Sequence, residues 1–210
     1  MHKKLLLLSP GNNNMKINFF MPLAILIIFM QPAVSFAVES NVHTSTSEVA
    51  ILTGYGISHK YFGKTRTQVQ TWDSIARFGY FLSNEVGHGK WYQGRHELLL
   101  ELPYHMAVDH DGRSMAGGYA LGGWKFTSME VVAPYIFAGG GILFVDAGLP
   151  TMGAKLNFSY QGGAGLQYFL SKGTALMAEY RYHHISNAGT APQNEPLNSS
   201  KILIGITVYR

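Results

Sequence analysis

The 210-residue chain has no cysteine. A small secreted domain held by disulfides is therefore excluded, and an exported chain of this size must be held together by its own packing. Beyond residue 47 there is also no run of 18 consecutive apolar residues, so no membrane-spanning helix can be drawn there. A surplus of positive charge is missing too, once the first 37 residues are set aside. Those residues carry Lys3, Lys4 and Lys16 and nothing acidic, which leaves 13 of the 16 basic side chains against 12 acidic ones. The basic pI of the whole chain thus points to no nucleic-acid partner.

Residues 1–37 read as an export signal. The chain offers two starts, Met1 and Met15. From Met15 it runs through Lys16, an apolar stretch at 19–30 and a small-residue site ending Ser35-Phe36-Ala37, the basic, apolar and cleavable segments of a secretory leader. The apolar stretch is about a dozen residues and contains Pro22, whereas a helix crossing a bilayer needs roughly 20. Cleavage after Ala37 is expected, giving a mature chain that starts at Val38 and forms one domain, residues 38–210.

What the chain does have is tyrosine, phenylalanine and glycine, set in segments that alternate between turn signals. The clearest is 154–170. Leu156, Phe158, Tyr160, Gly162, Ala164, Leu166, Tyr168 and Leu170 fall on one side; Lys155, Asn157, Ser159, Gln161, Gly163, Gly165 and Gln167 fall on the other. Period-two alternation of that length is a strand with one apolar and one polar face. After the turn Ser171-Lys172-Gly173, the segment 174–187 repeats it, with Leu176, Ala178, Tyr180 and Tyr182 opposite Glu179, Arg181 and His183. The last strand, 201–209, has Ile202, Ile204, Ile206 and Val208 on its apolar face. Earlier segments at 47–57, 68–82, 93–107, 114–127 and 131–146 bring the count to eight.

Eight alternating strands in an exported, cysteine-free chain predict an all-β fold, an eight-stranded antiparallel transmembrane β-barrel whose apolar faces meet lipid. The competing architecture is a soluble barrel or sandwich with its apolar face inward. Strand length decides against it: several segments exceed the 9 to 11 residues or so that span a membrane, while strands of globular proteins centre near 5 to 6. Short turns of such barrels face the periplasm and longer loops face outward. With 127–130 and 171–173 as the short connections, the seventh strand runs outward, and the run 179–198, EYRYHHISNAGTAPQNEPLN, carries its outer end and the loop that follows.

His184 and Ser186 lie two residues apart near the outer end of that strand, so they share a face. Their parity is that of Tyr180 and Tyr182, the lipid-facing side. A histidine within reach of a serine is the usual way to turn a hydroxyl into a nucleophile. A polar pair on that surface, at the level of the outer leaflet, points to a lipid of that leaflet as its substrate.

The run HISNAG at 184–189, the Pro192/Asn194 loop behind it, and more loosely the strands YIFAGGGILFVD and LNFSYQGGAGLQYFLS resemble the PagL-type lipid A 3-O-deacylases, outer-membrane barrels grouped with acyloxyacyl hydrolases. The resemblance implies a serine esterase that removes an ester-linked hydroxyacyl chain from lipid A, with no metal or other cofactor. It makes Ser186 the nucleophile and His184 the general base, with backbone N–H groups at Asn187 and Gly189 forming the oxyanion hole. Where the family pattern has the glutamate of the triad, twelve residues after the serine, this chain has Asn198. The nearest carboxylate in the loop is Glu195, so Asn198 is the third member and Glu195 its alternative. The implied partners are lipid A or lipopolysaccharide and the lipids of the outer membrane; whether a homodimer forms is left open.

Blander readings exist for each feature. Ser186 and Asn187 are residues that also cap strands and shape turns. His183 faces the other way, toward a polar lumen network with Glu179 and Arg181. His88, His96, His105 and His110 show no metal-ligand spacing. The AGGG at 138–141 is followed by no Walker lysine, and glycines in a barrel strand allow curvature or close packing. The alternative function is a non-catalytic small barrel with a structural, adhesive or permeability role.

Overall fold

The computed structural model describes residues 40–146, 149 and 152–210; the expected leader and its cleavage site lie outside them. The chain forms eight strands, β1 (Ser47–Ser58), β2 (Gln70–Phe81), β3 (Gly94–Ala107), β4 (Ser114–Phe126), β5 (Val132–Val145), β6 (Leu156–Ser171), β7 (Thr174–Ser186) and β8 (Leu197–Tyr209). Each pairs antiparallel with the next, and β1 pairs with β8, so the sheet closes into a barrel with no free edge. Closure is what permits strands in lipid, because every main-chain N–H and C=O then has a partner on a neighbouring strand. The strands have 12 to 16 residues, enough to cross a bilayer at a tilt.

The pleat sorts the side chains. In β2, Asp73, Ile75 and Arg77 point inward and are buried, while Trp72, Phe78 and Tyr80 point outward and are exposed. The outward face is an aliphatic band that includes Ile51, Leu102, Ile202 and Ile204, with exposures of 61–70%. Aromatic residues flank it, with Tyr55, Trp72, Tyr104, Phe158 and Tyr160 toward one rim and Phe78, Tyr80 and Tyr168 toward the other. An apolar belt between two aromatic girdles is the outer surface of a membrane barrel.

The interior is filled. Leu52, Ile75, Leu99, Leu121, Leu143 and Leu203 are buried there beside paired charges. Arg77 bridges Glu101 and Glu179, and Arg181 contacts the same two carboxylates and Gln161. Lys201 holds Asp73, which also contacts His105. Lys125 holds Glu48 and Glu97. His183 sits in this network as anticipated, its Nε2 within 2.9 Å of the Tyr119 hydroxyl and 2.8 Å of Ser159 Oγ. Buried charges persist when each is paired in this way. The glycines at 139–141 serve close approach: a Cβ on Gly141 would stand 2.0 Å from the Gly118 carbonyl oxygen.

One rim carries the connections 59–69, 108–113, 146–155 and 187–196. The opposite rim has the short turns 127–131 and 172–173, together with a longer connection at 82–93 that departs from the short-turn rule. The chain before β1 lies at that second rim. Asn41 N–H donates to the Lys172 carbonyl, and Arg95 Nη1 donates to the carbonyls of Val42 and Ser45. Val42 is packed into a cluster with Phe81, Ala133, Phe169, Ala175 and Tyr209.

Candidate active site

The last turns of β7 carry Tyr182, His184 and Ser186 on the outward face, and the adjoining β8 carries Asn198 and Ser200 on the same side. Register brings them together. His184 stands directly opposite Asn198, and Tyr182 opposite Ser200. On the other flank, His184 is paired with Tyr160 of β6, and the two rings stack at a centroid distance of 4.3 Å and an interplanar angle of 17°. The imidazole plane is thus held by an aromatic neighbour before any hydrogen bond is considered.

Three side chains then form a line. Asn198 Oδ1 lies 2.7 Å from His184 Nδ1, and His184 Nε2 lies 3.1 Å from Ser186 Oγ. Asn198 Oδ1 also accepts a hydrogen bond from the Tyr182 hydroxyl at 2.5 Å. Asn198 Nδ2 donates to the Phe62 carbonyl at 3.1 Å and to Thr65 Oγ1 at 2.9 Å. Since a carbonyl can only accept, the amide NH₂ must face Phe62 and the amide oxygen must face the histidine. His184 Nδ1 therefore carries the ring proton. Nε2 is left with its lone pair toward Ser186, the arrangement in which the serine hydroxyl donates to a base. His184 and Ser186 are half-buried, whereas Asn198 is buried at 5% exposure beneath the loop 59–69.

Glu195 is not at the histidine. Its Oε1 accepts the N–H groups of Arg66 at 2.8 Å and Thr67 at 2.5 Å, so the carboxylate ties the 187–196 loop to the 59–69 loop. Of the two residues considered for the third position, Asn198 is the one brought to His184. It belongs to β8, which starts four residues earlier than the alternation at 201–209 indicates.

The expected oxyanion donors are differently disposed. The Asn187 N–H donates to Asn194 Oδ1 at 3.0 Å, and the Gly189 N–H donates to Asn187 Oδ1 at 2.8 Å. The Asn187 side chain also donates to the carbonyls of Met152 and Gln193. Its groups shape the loop, as the turn-forming reading holds, and both anticipated N–H donors are already engaged in this conformation. Ala188 lies between them in the left-handed region, at φ 52°, and among the described residues its N–H has no hydrogen-bond partner. No group of metal-ligating side chains is found among the described residues.

The sequence family of lipid A 3-O-deacylase (PagL) matches residues 53–207. The chain belongs to that family. No curated protein matches the chain. Among solved structures, the outer-membrane enzyme PagL aligns at a TM-score of 0.54 and 19% identity, over 75% of this chain and 97% of its own. Neisserial surface protein A (NspA) aligns at 0.57 and 15% identity, over 78% of this chain and 97% of its own. At these identities the two structures speak for the fold alone.

Sequence reasoning missed a second histidine–serine contact in this patch. His59 Nε2 lies 2.8 Å from Ser200 Oγ, which is also 3.0 Å from the Tyr180 hydroxyl. No third side chain holds the other ring nitrogen of His59 among the described residues, so this pair lacks what Asn198 supplies to His184. The signal for Ser200 was its even position on an otherwise isoleucine-lined face. His59 lies 141 residues away in sequence and gave none.

Proposed function

We propose that this PagL-family barrel is an outer-membrane esterase that hydrolyses an ester-linked acyl chain of lipid A, the 3-O-hydroxyacyl chain by the family's description. The observation that carries the proposal is the line from Asn198 through His184 to Ser186 on the outward face. That surface holds lipid-anchored substrate in place without enclosing it, and the rim of loops is where the sugar headgroup of an outer-leaflet glycolipid sits.

In this mechanism His184 Nε2 takes the Ser186 proton as Oγ attacks the ester carbonyl. The tetrahedral oxyanion is received at the start of the 187–196 loop. Among the described residues the Ala188 N–H is a donor without a partner there, and those of Asn187 and Gly189 join only if Asn194 Oδ1 and Asn187 Oδ1 let go. The imidazolium returns its proton to the departing sugar oxygen, leaving an acyl ester on Ser186. Water, activated by the same nitrogen, then releases the fatty acid. Asn198 keeps the ring in its working tautomer throughout but brings no charge to the imidazolium.

The test is mass analysis of lipid A from cells expressing the chain or its Ser186→Ala variant, against cells with neither. Loss of one hydroxyacyl chain with the wild type alone is the expected result. Unchanged lipid A in the presence of folded barrel would favour the structural or adhesive reading.

A further inference from the structure

We infer that Thr65, together with the main-chain carbonyl of Phe62, is a positioning element for catalysis: the loop between β1 and β2 sets which end of the Asn198 amide faces His184, and so lets a neutral residue occupy the acid's place. The inference rests on reading Asn198, His184 and Ser186 as a hydrolytic relay.

A carboxylate at the third position needs no such help, because its two oxygens are equivalent and either one accepts from Nδ1. A carboxamide has two unlike ends. Turned around, it would donate to Nδ1 and force the ring proton onto Nε2, where it blocks the base; in a serine protease, asparagine in place of the triad aspartate costs on the order of 10⁴ in turnover by this wrong tautomer. What prevents the turn here is the chemistry around Nδ2. The Phe62 carbonyl can only accept. The Thr65 hydroxyl has a single proton, and it goes to the Pro196 carbonyl at 2.9 Å, so lone pairs are what Thr65 offers to Asn198. Those lone pairs take both the Asn198 main-chain N–H at 3.2 Å and Nδ2 at 2.9 Å. A flipped amide would set its oxygen against two acceptors with no hydrogen between them.

The loop is built to hold these acceptors. Thr65 is fully buried. Tyr61 N–H donates to the Thr65 carbonyl at 2.9 Å, and Thr65 N–H donates to the Phe62 carbonyl at 3.2 Å. Gly63 turns at φ 59°, and a Cβ there would come within 3.2 Å of Asn198 Nδ2. Glu195 clamps the following residues through the N–H groups of Arg66 and Thr67.

The experiment uses the full barrel in detergent with lipid A in mixed micelles, and compares Thr65→Val, Thr65→Ser and Thr65→Val combined with Asn198→Asp. Thr65→Val should lower kcat about tenfold or more with KM unchanged, and Thr65→Ser should restore it to within about threefold. In the Asn198→Asp background, Thr65→Val should change kcat less than about threefold, since a carboxylate has no wrong end. A second readout is independent of turnover: ¹⁵N shifts of the His184 ring, assigned by difference with His184→Gln. They should show the proton on Nδ1 in the wild type and a shift toward Nε2 in Thr65→Val. Equal loss in both backgrounds with an unchanged tautomer would overturn the inference, as would a wild-type ring protonated at Nε2 even if Thr65→Val failed to fold. A wild type that holds the Nδ1 tautomer but leaves lipid A intact would instead sink the hydrolytic reading and leave the lock standing.

Discussion

Replacing Asn198 by alanine removes the histidine's partner without touching Ser186, and the size of the loss separates a neutral third member from a charged one. Asn198 Oδ1 accepts from Nδ1 at 2.7 Å and from Tyr182 at 2.5 Å. Losing the first bond costs about 1 kcal/mol; freeing the tautomer and the ring tilt adds a similar amount. Stacking on Tyr160 still holds the plane, so the ring does not become fully mobile. A total near 2 to 3 kcal/mol corresponds to a fall in kcat of roughly 30- to 150-fold. Removal of a charged triad acid is far more damaging, on the order of 10⁴.

The assay is release of hydroxy fatty acid from lipid A in mixed micelles, with kcat and KM resolved, and circular dichroism to show an intact barrel. KM should hold, because Asn198 meets the ring and the 59–69 loop and not the ester. Glu195→Gln belongs in the same experiment. It keeps an oxygen for the Arg66 and Thr67 N–H groups and should stay within a few-fold of wild type. If Asn198→Ala loses less than about threefold while Glu195→Gln silences the enzyme, the carboxylate is the histidine's partner and the geometry described above is wrong. A folded Asn198→Ala barrel that loses 10⁴ or more would also refute the reasoning, since alanine frees the tautomer without locking the wrong one.

Three other outcomes are expected. Ser186→Ala and His184→Ala should each abolish hydrolysis in a folded barrel, with the double variant little worse than either, because nucleophile and base act as a unit; kinetic measurement of all three decides it. Ser200→Ala should keep activity within a few-fold, and loss comparable to Ser186→Ala would move the nucleophile to the His59/Ser200 pair. Arg181→Met should destabilise the barrel by about 3 to 5 kcal/mol, since two buried carboxylates, Glu101 and Glu179, would be left to share the single cation of Arg77; urea titration in detergent reads this, and a loss under about 1 kcal/mol would contradict the pairing argument.

The pleat was legible because lipid imposes it: every second residue of a strand in a bilayer must be apolar, and the parity of His184 and Ser186 follows by counting from Tyr180. The start of β8 was not. Its first outward positions are Asn198 and Ser200, both polar, so alternation vanished at the start of the strand and Asn198 read as a loop residue. The engagement of the two expected oxyanion donors was not legible for a local reason. Asn187 and Asn194 fold their side-chain oxygens back onto main-chain N–H groups, and a motif of Asn, Ala and Gly does not say which of its N–H groups remain open. Thr65 and Phe62 lie more than 130 residues from Asn198 in sequence. Only barrel closure, which sets β1 beside β8, brings them together.

Closure also weighs between an enzyme and an inert barrel. A structural barrel needs its outward face apolar and its interior satisfied, and this one meets both demands over most of its surface. A polar cluster stands at the β7–β8 seam, where tyrosine, histidine, serine and asparagine replace the aliphatic residues found lower on the same strands. Polar side chains on a lipid-facing wall cost stability unless each finds a partner, and here the partners come from the neighbouring strand and from the loop after β1. A permeability role would need an open lumen, yet the interior is packed with paired arginines, lysines and carboxylates. Those interior pairs tie β7 and β8 to β2 and β3, and the main-chain ladder between β7 and β8 sets His184 opposite Asn198. The side chains of the proposed relay are thus carried on strands fixed by main-chain pairing and interior ion pairs, the support that preorganisation of a surface nucleophile requires.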